Sequence, residues 1–411
     1  MTHPKIPAAT TPRAILTLNA GSSSIKFALY QRGLSTQRLI SHGSIDGIGT
    51  APHFKAAAPD GSILKEERWE LGATLQHEAL LVPLLEWINS HLGDESLCAI
   101  GHRIVHGGSA FTQPVVIDAA VHAELEKLIP LAPLHQPHNL AAVKAVSRLR
   151  PDLPQIACFD TAFHHTMPDV ATRLGLPHIY EEEGVRRYGF HGLSYEFIIG
   201  QLRELAPTLA KGRVVVAHLG NGASLCAIRN SRSVDTTMSF TTLDGLMMGT
   251  RSGSLDPGVV LYLQQAHHLD AAAIERLLYQ ECGLLGVSGI SNDMRTLLAS
   301  DDVRAKQAIE LFIYRIVKEV GAMAASLRGI DALVFSAGIG EHAASIRAAV
   351  CERLAWLGVD CDTQANERHD TLISSSHSHV YVCVIPTNEE AMIAHHTAQV
   401  LHDLSRQIEA V

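Results

Sequence analysis

Four segments place charged or hydrogen-bonding side chains beside glycine in a way that suits anion chemistry. "HRIVHGG" (102–108) carries Arg103, "CFDTAFHHTMP" (158–168) carries Asp160, "RRYGFHGLSY" (186–195) carries His191, and "GLMMGTRSGSLDPG" (245–258) carries Arg251. A guanidinium presents a planar fork that matches a phosphoryl or carboxylate group, and an arginine on a loop is a common device for neutralising charge during transfer. Each residue alone would serve equally as a structural ion pair or cap. Three further stretches are built to cradle phosphate: "NAGSSSIK" (19–26), "HLGNGAS" (218–224) and "SAGIGEH" (336–342). Glycine lets backbone N–H groups converge on an anion, and a helix following the last stretch would add a favourable dipole. None is a Walker A loop, and "AGIGEH" lacks the third glycine of a dinucleotide fingerprint.

The elements that must hold these residues alternate. "ILTL", "KFALY", "VVVAHL", "SLCAI", "ALVFSA" and "VYVCVIP" read as strands. "EALLVPLLEWINSHL", "NLAAVKAVSRL", "SYEFIIGQLRELA", "AKQAIELFIYRIVKEVGAMAASL" and "IRAAVCERLAWLG" carry apolar residues at helical spacing. The pattern predicts an α/β fold. One echo sharpens it: "ILTLNAGSSSIKFAL" and "VVVAHLGNGASLCAI" share a strand, a polar residue, a glycine-centred turn and a second strand. Asn19 aligns with His218 and Gly21 with Gly220, about half a chain apart, as two similar lobes would require.

Composition sets outer bounds. The chain has 411 residues, 46% of them apolar and 18% charged, with a net charge of −9 and no basic block. That is enough core for two domains, and it argues against a nucleic-acid or membrane-surface partner. Seven scattered cysteines without a C-x-x-C pair predict reduced thiols in a cytoplasmic protein. The 24 histidines lack metal-ligand spacing, so a zinc site is not expected. Residues 1–12, "MTHPKIPAATTP", read as a frayed tail without the apolar core of a signal peptide.

Taken in order, "NAGSSSIK", "HRIVHGG", "LAPLHQPHN", "FDTAFHHTMP", "YGFHGLS", "HLGNGAS", "MMGTRSG", "SNDMR", "AGIGE" and "IPTNEE" resemble the acetokinase family, within the sugar-kinase/Hsp70/actin (ASKHA) superfamily, from Leu16 to about His395. The resemblance implies duplicated actin-like, ribonuclease H-like lobes with an active-site cleft between them. The expected lobes are 13–155, joined by a C-terminal helix at 387–411, and 156–386, which would carry most of the nucleotide site. It implies reversible transfer of a phosphoryl group from ATP to acetate, giving ADP and acetyl phosphate, with Mg²⁺ or Mn²⁺ and in a homodimer. Asn19 and Glu389 would help hold the metal, and Lys26 would meet the nucleotide phosphates. His218, Leu219, Gly220, Asn221 and Gly222, then Asp293, Met294 and Arg295, then Gly338, Ile339, Gly340, Glu341 and His342, match the family's ATP-contacting segments. Arg103 and Arg251 match the arginines that engage the carboxylate and the moving phosphoryl group. His191 matches the residue that stabilises the transition state, and Asp160 the catalytic carboxylate. Acetate is already an anion, so positioning is the better role for Asp160 than proton abstraction. Ser22 and Ser24, with nearby N–H groups, would shape the same side.

Several positions depart from the family pattern. His342 stands for Asn, Leu193 for Thr, Tyr195 for His, Ser254 for Asp, His165 for Gln, and Thr242 for a Pro near the acyl pocket. Val105, Leu134 and Phe190 keep the apolar pocket pattern. One methylene in such a pocket is worth only ~1–3 kcal/mol, so propionate stays open beside acetate. An ATP-dependent scaffold of the same fold is the alternative from another class, although an acceptor set of two arginines, a histidine and a carboxylate has no use there.

Overall fold

The computed structural model describes residues 13–21, 23–33, 37–70, 75–92 and 95–409, so Ser22 and the segment 1–12 lie outside the described residues. The chain divides into two compact units, one running up to Ala162 and resuming at Asn388, the other Phe163–Thr387.

The first unit is built on an eight-stranded sheet of β1 (Arg13–Ala20), β2 (Ser24–Gln31), β3 (Arg38–Asp46), β4 (His53–Ala57), β5 (Ile63–Arg68), β6 (Ser96–Ile104), β7 (Val115–Val116) and β8 (Gln155–Phe159), in the order β5-β4-β3-β2-β1-β6-β8-β7. Strand β1 is apolar on both faces because helices cover both, and its residues Ala14–Leu18 are buried throughout. On one side α1 (His77–Leu92) and α3 (Gln136–Leu149), which follows α2 (Ala119–Lys127), close a core around Leu16, Leu18, Phe27, Leu84 and Ile100. The other face is closed by the last helix, Glu389–Glu409, whose Ala394 and Ala398 pack on Ile15, Ala28 and Tyr30. Small residues permit that approach. A Cβ on Gly101 would stand 2.3 Å from Thr397 Oγ1 and 2.6 Å from Ile393 Cγ2, so the helix lies directly on β6.

The second unit has a five-stranded sheet of β9 (Arg213–Leu219), β10 (Ala223–Arg229), β11 (Arg232–Thr236), β12 (Ala332–Ser336) and β13 (Tyr381–Val384), in the order β11-β10-β9-β12-β13. Its interior is covered by α4 (Gly192–Leu205) and by the 25-residue α5 (Val303–Leu327). Helix α5 starts at Asp302, whose carboxylate accepts the Arg304 N–H, and ends at Arg328 in the left-handed region.

The two sheets repeat one plan. In the first, β3-β2-β1-β6-β8 has two antiparallel pairings followed by two parallel ones, and β11-β10-β9-β12-β13 has the same sequence of pairings. The echo between the two strand–turn–strand segments is therefore the sequence trace of a duplicated unit. Strands β3, β4 and β5 were not legible, because β5 is largely exposed and alternates charged residues without an apolar face.

Candidate functional site

In the first unit the β1–β2 hairpin sets Asn19 directly opposite Lys26, with the turn closed by the Gly21 N–H donating to Ser24 O at 2.8 Å. Arg103 comes from the end of β6, beside β1, and Asp160 follows β8. The Arg103 Nε donates to Asp160 Oδ1 at 3.0 Å, Nη2 donates to Oδ2 at 2.5 Å, and Nη1 donates to Asn19 Oδ1 at 3.2 Å. Glu389, at the start of the last helix, brings Oε2 to 3.5 Å from Arg103 Nε. Five residues separated by up to 370 positions thus meet around one guanidinium or its hairpin.

Electrostatics follow from burial. Burial opposes the charge on Arg103, but Asp160 and Glu389 beside it more than offset this and raise its pKa. Burial pushes the Glu389 carboxyl up to about 7; Arg103 and Lys26 pull it down, and Asp160 and Glu390 add to the rise. Glu389 is therefore a half-buried carboxylate whose charge the nearby cations do not fully offset. The Glu389 carboxylate and the Asn19 amide are both hard oxygen donors of the kind that Mg²⁺ takes.

In the second unit His191 sits at φ 59°, unusual for a side chain with a Cβ, and opens α4. Its Nδ1 lies 2.9 Å from Ser224 Oγ, and its ring stacks on His218 at 4.2 Å between centroids. The His218 Nδ1 lies 2.8 Å from Ser194 Oγ, which in turn meets Thr387 Oγ1 at 2.7 Å. A Cβ on Gly222 would stand 3.5 Å from His191 Nε2 and 3.9 Å from Arg251 Nη1, so both side chains border the same glycine. Arg251 Nη1 also donates to the Thr242 carbonyl at 3.1 Å. A proline at position 242 could supply that carbonyl equally well, so this departure leaves the arginine's support intact.

Three of the sequence motifs are joined by Asn221. Its carbonyl accepts the Gly249 N–H at 2.9 Å and its Oδ1 accepts from Asn292 Nδ2 at 3.2 Å, linking "HLGNG", "MMGTRSG" and "SNDMR". A Cβ on Gly249 would come within 1.9 Å of Asn221 Oδ1, so a larger residue there would displace the Asn221 amide. Asp293 caps a helical turn that begins at Met294 and pairs with the exposed Arg295 at 2.7 Å. The stretch read as a loop at 336–342 is itself a short helix, α6 (Ala337–His342), which follows β12 and precedes α7 (Ala344–Arg353). Ala337 makes the turn at φ 62°, leaving Gly338 and Gly340 inside the helix. His342 is exposed and 3.9 Å from Glu341, while Glu341 Oε1 accepts the Thr387 N–H at 3.2 Å.

Val105 and Phe190 are buried and Leu134 is half-buried; Val105 and Leu134 belong to the first unit and Phe190 to the second. Three supporting residues escaped the sequence reading. Asn139 accepts the Val105 N–H at 3.0 Å and donates to Ala20 O at 2.7 Å, tying the Arg103 strand end to the Asn19 hairpin. His164 spans Ser233 Oγ and Phe190 O, each at 2.9 Å, and so fixes the turn that presents His191; burial holds its pKa at about 4. Arg347 is wholly buried and donates to the carbonyls of Gly340 and Glu341, both at 2.8 Å. A buried arginine in an otherwise ordinary helical pattern was the available signal, but its partners lie in turns that spacing does not reveal.

Two α/β units with one strand order, each ending its central strands in polar side chains around glycine turns, define an actin-like protein equipped to handle anions. The chain belongs to the acetokinase family, whose model matches residues 14–395. It is 55% identical over 387 residues to an acetate kinase of Rhodopseudomonas palustris (strain ATCC BAA-98 / CGA009), covering 93% of this chain and 97% of the relative. It is 48% identical over 393 residues to an acetate kinase of Nitrobacter hamburgensis (strain DSM 10229 / NCIMB 13809 / X14), covering 95% and 97%. Among solved structures it superimposes on a propionate kinase of Francisella tularensis subsp. tularensis SCHU S4 with a TM-score of 0.86 at 38% identity, over 93% of this chain and 98% of that one. For the acetate kinase of Porphyromonas gingivalis the TM-score is 0.83 at 38% identity, over 95% and 100%.

Proposed function

We propose that this chain transfers the γ-phosphoryl group of ATP to acetate, reversibly and by direct in-line displacement, giving acetyl phosphate and ADP. The observation that carries the reading is the Arg103 cluster, in which one guanidinium is clamped bidentately by Asp160 and flanked by Asn19 and Glu389. The relatives at 48–55% identity are named acetate kinases, which favours acetate over propionate.

Transfer brings two anions together through a state whose charge is spread over three equatorial oxygens. In this reading Asp160 fixes the Arg103 fork toward the carboxylate, and Arg251 and His191 serve the moving phosphoryl group. Lys26 adds a point charge toward the nucleotide phosphates, whose other contacts come from His218–Gly222, Asp293–Arg295 and Gly338–His342. Val105, Leu134 and Phe190 exclude water and larger acids from the acyl group. Asn19 and Glu389 would hold Mg²⁺, which when bound neutralises phosphate charge. Since acetate arrives ionised, no residue is needed to take a proton.

A second copy of the chain is part of the proposal. Helix Pro257–Ala266 buries none of its residues within the chain and exposes Leu261 and Tyr262, a face that a homodimer would cover. A cytoplasmic setting is supported by the lack of any disulfide among the seven cysteines. Among the described residues, no helix is long and apolar enough to cross a membrane.

Arg103→Ala and Arg251→Ala test the assignment through acetyl phosphate formation. Each should lose roughly 10²–10³ in turnover. Unchanged turnover in both would overturn it.

A further inference from the structure

The hydroxyl of Tyr195 lies at the buried end of a short chain of hydrogen bonds that reaches His191. Its oxygen is 2.5 Å from Ser224 Oγ, and Ser224 Oγ is 2.9 Å from His191 Nδ1. Tyr195 and Ser224 are both fully buried, so no solvent can take their place in the chain. Burial, reinforced by the nearby Cys226, also drives the Tyr195 pKa upward and keeps the phenol protonated.

A buried O–H must donate, and among the described residues Ser224 Oγ is the partner of the Tyr195 hydroxyl. Ser224 then has its own hydrogen left to give, and its remaining side-chain neighbour is His191 Nδ1. A neutral imidazole that accepts at Nδ1 carries its hydrogen on Nε2. That nitrogen faces Gly222, the glycine that Arg251 Nη1 also borders. The left-handed backbone of His191 and the stack on His218 hold the ring in the plane this requires.

We propose that Tyr195, acting through Ser224, is a positioning residue that fixes His191 as an Nε2–H donor toward the transferring phosphoryl group. The inference rests on the acyl-kinase reading of the site and deepens it. Tyr195 stands where the family pattern has a histidine, so this chain reaches the same ring by a route of its own. Without the phenol hydrogen, Ser224 is free to turn its own hydrogen away and to accept from Nδ1–H instead. His191 would then present a lone pair to phosphate oxygens, and repulsion would replace a hydrogen bond.

The test combines Tyr195→Phe, Ser224→Ala and their double variant with His191→Ala as the reference. Loss of a group that orients a functional histidine costs about 10–100-fold, here expected in kcat with KM for acetate and ATP retained. The double variant should lose no more than the worse single one, because both substitutions break the same chain. Long-range ¹H–¹⁵N correlations of histidine-labelled protein should show His191 protonated on Nε2 in the parent and shifted toward Nδ1 in Tyr195→Phe. Should Tyr195→Phe fail to fold, Ser224→Ala alone gives the same two readouts. A full kcat, or an unmoved tautomer, in variants whose His191→Ala counterpart is inactive overturns the relay and leaves the site reading standing. An active His191→Ala enzyme overturns the site reading itself, and the relay with it.

Discussion

Both carboxylate oxygens of Asp160 are taken by Arg103, Oδ1 by Nε at 3.0 Å and Oδ2 by Nη2 at 2.5 Å. Asp160 is 1% exposed and Arg103 keeps 19% of its side chain open, so the carboxylate lies behind the guanidinium and the guanidinium faces outward. A carboxylate engaged in this way orients a cation.

Asp160→Asn is therefore expected to lower kcat/KM for acetate by on the order of 10²-fold, because an amide cannot accept both guanidinium hydrogen bonds. The shape of the kcat pH profile should persist, measured between the limits of protein stability. Loss of one limb of that profile would instead mark Asp160 as a proton acceptor.

Arg347 offers a test of the support beneath the Gly338–His342 segment. It donates to Gly340 O and Glu341 O, to Asn366 Oδ1 at 2.7 Å and Asn366 O at 2.8 Å, and meets His369 Nδ1 at 3.0 Å. Arg347→Met strands these buried acceptors, at about 1–3 kcal/mol for each left without a partner. The expected result is a marked drop in Tm and a raised KM for ATP, with KM for acetate little changed.

Acid should destabilise the protein through its buried histidines. Burial holds His102 and His164 at about 4, against 6.5 for an ordinary histidine. Above pH 6.5 neither the folded nor the unfolded chain binds these protons, so the rings confer no pH dependence. Between 6.5 and about 4 the unfolded chain takes them up and the folded chain does not. Stability should fall by up to ~1.4 kcal/mol per pH unit for each ring. Urea midpoints measured from pH 7 to pH 5 check this, and His164→Gln should flatten the slope.

Much of the fold was legible because the duplicated strand–turn–strand segments bury both faces and carry unbroken apolar runs, as in Ile15–Leu18 and Val214–Leu219. Strands β3 to β5 were not; in β5 the consecutive charges Lys65, Glu66 and Glu67 look like a loop. Loop motifs singled out Arg103, His191, Arg251 and the glycine turns. Asn139, His164 and Arg347 were missed because their partners are 6 to 119 positions away, distances that periodicity does not encode.

The central claim is acyl phosphate formation from a small carboxylate, and trapping with hydroxylamine measures it directly. Purified protein with ATP, Mg²⁺ and acetate should yield acetyl hydroxamate in step with ADP release, with a higher kcat/KM for acetate than for propionate. ATP turnover that is indifferent to any carboxylic acid, with no hydroxamate formed, would contradict the account.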